Sequence, residues 1–253
     1  MLGLSRYENL IIYLQLAAIV GVLIRFLTAG LQRVYRFFFC YLVVLAGQGL
    51  FPLMVRRGTN LYGYVFIGIE GVIVLLYALI VLELYSLVLR NLPGIASISR
   101  RYIKIALGVA ILISLMLLQL EQIPHDVMAR FFSFESTIVF SLVFFVFLIT
   151  AFLVYYPIPL NRNVIFYSIG YAFYFTSKAL ALFLRNTGHQ WDAVFSFLLL
   201  GVSTACLIFW IFSLSRAGEQ KTVVFGHKWN REDERYLLEQ LDAINRSLMR
   251  VRK

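Results

Sequence analysis

An all-α, seven-transmembrane-helix bundle is the fold class the sequence predicts, and three observations predict it. Seven apolar stretches fill the chain from Asn9 to Leu214. Hydrophobic residues make up 61% of the 253 positions and charged residues only 14%, against about 25% charged in soluble domains. Lys and Arg gather at one set of stretch ends. A helix needs about 20 apolar residues to cross a hydrocarbon core roughly 30 Å thick, because its backbone N–H and C=O groups must be satisfied within the segment.

The stretches follow in order. The first is expected over Asn9 to Leu27 and the second over Tyr35 to Met54, where Pro52, Arg56, Arg57 and Gly58 end it. The third spans Tyr62 to Leu84 and is closed by Asn91, Pro93 and Gly94. A fourth covers Tyr102 to Leu120, and a fifth, Phe131 to Tyr156, stops at Pro157 and Pro159. Val164 to Leu184 and Ala193 to Leu214 complete the set. Tyr35, Tyr62, Tyr64, Tyr102, Tyr155, Tyr156 and Trp191 lie near the expected ends, where amphipathic rings settle at headgroup level.

Orientation follows from the basic residues. With the N-terminus outside, eight Lys and Arg in loops or at stretch ends and nine in the tail fall on the cytoplasmic side, and five fall outside. The bias favours N-out and C-in, with the bilayer as the first partner. Cys40 and Cys206 both fall within stretches, so no outer-loop disulfide is expected. The net charge of +10 is what such topology demands and carries no argument for nucleic acid. Three units result: a membrane domain over 1–214, a polar linker over 215–229 and a cytoplasmic helix over 230–253.

The last unit reads as an amphipathic helix. Asn230 is placed to cap it, Glu232, Asp233 and Glu234 occupy the first turn, and Arg246, Arg250 and Arg252 lie toward its end. Leu237, Leu241, Ile244, Leu248 and Val251 repeat at spacings of four and three, a heptad seam suited to a homodimer or a cytosolic partner helix. The same face also suits a membrane surface, or packing against the bundle itself.

Polar groups inside a bilayer are costly, about 2.5 to 3.5 kcal/mol for a central charge, which makes each a candidate functional residue. Gln15, Gln48, Glu70 and Lys178 lie roughly 9 to 12 Å in from the expected outer ends, counted at about 1.5 Å per residue. They share a layer. An ion pair between Glu70 and Lys178 is expected, with the two amides, Thr176 and Ser177 beside it. It makes either a polar pocket open to the outer side or a structural pair that fixes helix order. Glu83 is expected to anchor the loop carrying Arg90, Arg100 and Arg101, and Glu135, at the start of the fifth stretch, to face water.

Other chemistry finds little footing. Glu121, His125, Asp126, His189 and Asp192 fall in two loops without metal-ligand spacing, so no metal site is assigned. No stretch contains a histidine to hold haem, and no cofactor is implied. Nucleophile-elbow, zinc-protease and phosphate-loop motifs are all missing from the sequence, so an enzyme is not expected.

Seven short-looped stretches, the connection YSLVLRNLPGIASISRR (Tyr85 to Arg101) and the tail helix ERYLLEQLDAINRSL (Glu234 to Leu248) resemble uncharacterised seven-helix bacterial integral membrane proteins. In layout they are also similar to the seven-helix input modules of bacterial sensor kinases. The resemblance implies a sensor or regulatory protein that meets a small or lipidic ligand in the bundle and signals through its tail. The chain carries no kinase domain of its own, so its output would pass to another protein. A small transporter using the same residues and a structural or assembly role are the alternatives.

Overall fold

The computed structural model describes residues 2–54, 60–90, 92, 95, 127–156, 158–187, 192–224 and 231–251, with isolated positions between 101 and 116. The described residues form helices α1 (Leu2–Ala29), α2 (Arg36–Met54), α3 (Asn60–Val88), α4 (Val127–Tyr155), α5 (Arg162–Thr187), α6 (Asp192–Ser213), α7 (Arg216–Gln220) and α8 (Arg231–Val251). Helices α1 to α6 coincide with six of the seven apolar stretches. The fourth stretch lies mostly outside the described residues, as do Asn230 and the histidine loops apart from Asp192.

Among the described residues, three helical segments are long and apolar enough to cross a membrane: Leu10–Ala29, Gly63–Val88 and Phe134–Tyr155. Arg36–Phe51 and Phe197–Ser213 are shorter apolar helices. Large apolar side chains also cover the outside of the bundle, among them Ile24, Leu75, Phe144 and Phe183, and Phe212 is 80% exposed. Helices apolar on both their inner and outer faces belong in lipid rather than in water.

The six long helices close a ring. Helix α1 packs on α2 and α6, α3 on α2 and α4, and α5 lies between α4 and α6 while also reaching α3. Gly170 lets α5 and α6 approach closely, since a Cβ there would stand 2.5 Å from Trp210 Nε1. Inside the ring runs a core of packed aromatics, in which Phe38 meets Phe26, Tyr167, Tyr171 and Trp210 with centroids 4.8 to 5.5 Å apart.

Residues 215–224, within the expected polar linker, are built into the body. After α6 the chain turns through α7, and β2 (Thr222–Val224) pairs antiparallel with β1 (Pro159–Asn161), the connection between α4 and α5. Leu160 stands opposite Val223. Helix α8 rests on the body of this chain. Its buried face is Leu237, Leu241 and Asn245, with Leu241 joined to the main core and Asn245 Oδ1 accepting from the Ile95 N–H at 3.3 Å. Of the other heptad positions, Ile244 is exposed, Leu248 is half-buried, and the side chain of Val251 is outside the described residues. A 3.6-residue helix resting on one surface drifts off a strict heptad, and the amide at 245 meets the Ile95 N–H where an isoleucine would leave it bare.

A candidate ligand cavity and the face of α5 below it

One polar residue from each of the six long helices converges at a single level. Gln15 of α1 donates from Nε2 to Ser203 Oγ of α6 at 3.2 Å. Gln48 of α2 hydrogen-bonds the carboxylate of Glu70 on α3. Lys178 of α5 pairs with Glu135 of α4 at 2.6 Å. Gln15, Gln48, Glu70 and Lys178, grouped in the sequence by depth alone, all line one cavity of about 220 Å³, together with Ser203 and the tyrosines Tyr41, Tyr77 and Tyr174.

The ion pair is not the expected one. Lys178 bonds Glu135, and Glu70 has an oxygen, Oε2, that is buried without a partner. Glu135 is 3% exposed rather than facing water. The reason is where α4 starts: it begins at Val127, so Glu135 lies eight residues inside the helix, roughly 12 Å along it. Thr176 does not join the cluster either; it is exposed and its hydroxyl bonds the Ala172 carbonyl of its own helix at 2.6 Å.

Tyrosines complete the Lys178 environment. The ammonium donates to Tyr77 Oη at 3.0 Å and lies 4.6 Å from the centre of that ring. Tyr77 and Tyr174 hydroxyls are 2.8 Å apart, and Tyr41 and Tyr174 hydroxyls 3.4 Å. Buried hydroxyls that exchange hydrogen bonds with one another and with a cation keep a charge tolerable in a low-dielectric interior.

Below this level, Tyr174, Tyr171 and Tyr167 continue the same face of α5 at helical spacing and are all buried. Tyr171 meets Tyr174 and Tyr167 with ring centroids 6.4 and 4.8 Å apart. Tyr167 then stacks near Tyr35, 4.8 Å away, and donates to Glu83 Oε2 at 3.3 Å. Glu83 does not serve the expected Arg90 to Arg101 loop through any described contact. Its other oxygen accepts from the Phe37 N–H at 3.2 Å, at the unsatisfied N-terminus of α2.

The face ends at Glu219 of α7. Tyr35 Oη donates to Glu219 Oε1 at 2.5 Å, Asn163 Nδ2 to the same oxygen at 3.0 Å, and Asn161 Nδ2 to Oε2 at 3.0 Å. Asn163 also bonds the Ser215 backbone in both directions, and Ser215 Oγ caps α7 by accepting from the Gly218 N–H. Gly218 fits because a Cβ there would fall on Asn163 Oδ1. Arg25 Nε holds the Leu214 carbonyl at 3.2 Å. Tyr35, expected at headgroup level, is thus fully buried in a clamp on the root of the tail.

Sequence reasoning missed Glu135, Ser203, the tyrosines and the whole clamp. The spacing of Tyr167, Tyr171, Tyr174 and Lys178 at four, three and four was the available signal, a polar stripe on one face of an apolar helix. Among the described residues no group of His, Cys, Asp and Glu is arranged to hold a metal ion.

The all-helical fold, with three described helices long and apolar enough to cross a membrane, points to a class, the helical membrane proteins. Beyond the class, no family model matches the chain, and neither the curated proteins nor the solved structures contain a match to it.

Proposed function

We propose that this is a non-enzymatic sensor or regulatory protein of a bacterial inner membrane, with seven spans, the N-terminus outside and the C-terminus in the cytoplasm. A small ligand enters the cavity at Gln15, Gln48, Glu70 and Lys178, and its presence is relayed to the tail helix. The observation that carries the reading is the single buried face of α5, from Lys178 through Tyr174 and Tyr171 to Tyr167, which joins the cavity to the Glu219 clamp. Eleven residues of helix separate the two ends, roughly 16 Å.

Relay requires an element with two arrangements that the ligand biases. Helix α8 supplies it. Docked, it covers Leu237 and Leu241; released, it offers them to a second copy or to a cytosolic partner helix.

Limited trypsin digestion of inside-out vesicles tests the relay and the topology together, read by mass spectrometry at the bond after Lys221 in the clamp. Lys178→Met combined with Glu135→Gln, which removes both charges of the buried pair at the cavity end without stranding either, is expected to speed that cleavage at least about threefold, equivalent to about 0.65 kcal/mol at RT of about 0.59. Equal rates would remove the relay, and cleavage in right-side-out vesicles would reverse the orientation. The cavity also favours a second reading, a small transporter with its site inside the bundle. Solute flux into liposomes that Glu70→Gln abolishes would establish that instead.

A further inference from the structure

The charges around the cavity do not cancel. Lys178 and Glu135 form a close pair whose members are both buried, and the ammonium spends a second of its three donors on Tyr77. Glu70 is left over. Gln48 bonds its carboxylate, but Oε2 is buried and has no partner. Buried polar atoms are nearly always satisfied, so a buried carboxylate oxygen without a partner calls for one.

We infer that Glu70 is completed by the ligand, and that the ligand is a small primary ammonium compound. An anion is excluded by the surplus negative charge and by a lysine already engaged. A bare inorganic ion underfills the space: about 220 Å³ holds roughly seven water-sized groups at about 30 Å³ each. The lining suits an alkylammonium head and short chain. Glu70 supplies the counter-charge, the Gln15 and Gln48 amides supply carbonyl oxygens, Tyr41 and Tyr174 supply rings that attract cations, and Leu199 supplies an apolar wall. Lys178 at the same cavity opposes a second positive charge, so a monoamine is preferred to a diamine.

This inference rests on the cavity being a ligand site and deepens that reading. Its test does not involve the tail, so amine binding without faster or slower cleavage at Lys221 would sink the relay and leave the ligand class standing. The full chain in detergent is heated with n-butylammonium chloride, 1,4-diaminobutane, 1-butanol, sodium butyrate or sodium chloride at equal ionic strength. Butylammonium at about ten times its Kd is expected to raise Tm by about 3 °C. Diaminobutane should do so less, and butanol, butyrate and sodium not at all. Glu70→Gln should erase the shift, whereas Asp242→Asn, an exposed carboxylate on α8, should keep it. A shift that survives Glu70→Gln, an equal shift with sodium chloride or butanol, or no shift with any amine overturns the inference.

Discussion

Two carboxylates sit at opposite ends of the tyrosine face of α5, and the protein finishes them differently. At Glu219 both oxygens are taken, by Tyr35, Asn161 and Asn163, and the surrounding chain is closed by hydrogen bonds to Ser215 and Gly218. At Glu70 one oxygen is held and the other opens no bond at all, beside a cavity. The first is a joint, in which every polar group answers to the fold. The second violates the rule that buried polar groups are paired, and folds concentrate such violations where something else is to bind.

The largest effect that tests the contrast is expected at Glu135. Glu135→Gln strands the buried Lys178 charge and should cost about 3–5 kcal/mol in a detergent unfolding titration, with much of the loss recovered when Lys178→Met is added. If Glu70→Gln shows that coupling to Lys178 instead, the pairing drawn here is wrong. Next comes the joint. Glu219→Ala removes three hydrogen bonds to a charged group and should cost about 2–3 kcal/mol, accompanied by rapid tryptic cleavage after Lys221. Gly218→Ala should open the same clamp, by about 1–3 kcal/mol, because its new methyl collides with Asn163. Cleavage at the wild-type rate in both variants would mean that the clamp does not hold the tail.

Smaller again is Tyr174→Phe, which deletes the hydroxyl shared with Tyr77 and Tyr41 and should cost about 1 kcal/mol. The smallest change sharpens the comparison most. Glu70→Gln keeps the shape and removes a carboxylate whose Oε2 has no hydrogen-bond partner, so its unfolding midpoint should equal or exceed wild type. A clear loss of stability would make Glu70 a second joint.

Much of the bundle was legible because a bilayer imposes a length: α1, α2, α3, α4, α5 and α6 each announced themselves as runs of apolar residues. The layer of Gln15, Gln48, Glu70 and Lys178 was legible for the same reason, since depth can be counted along a helix. Partnership could not be counted. Whether Lys178 meets Glu70 or Glu135 depends on which helices are neighbours and on α4 starting at Val127, and neither is a local property. The clamp was hidden more thoroughly. Residues 215–224 have the composition of a linker, while the partners of Glu219 lie 56 to 184 positions away in the chain. In the tail, periodicity found the helix, while Asn245, whose side chain accepts from the Ile95 N–H, faces the body and Ile244 does not.

The Lys178–Glu135 pair bears on how the protein is made. Of the two helices it ties together, α4 contains a segment apolar enough to cross a membrane unaided, whereas α5, with its lysine and tyrosine stripe, is not among the helices that meet that standard. In the seven-span reading, a ribosome-bound chain would deliver α4 first, and a lysine leaving the translocon alone would lose about 2.5 to 3.5 kcal/mol of insertion free energy. Entering as a hairpin with Glu135 already opposite removes much of that loss. The two helices then form one insertion unit, and glycosylation mapping of truncated chains should show α5 failing to insert when Glu135 is glutamine.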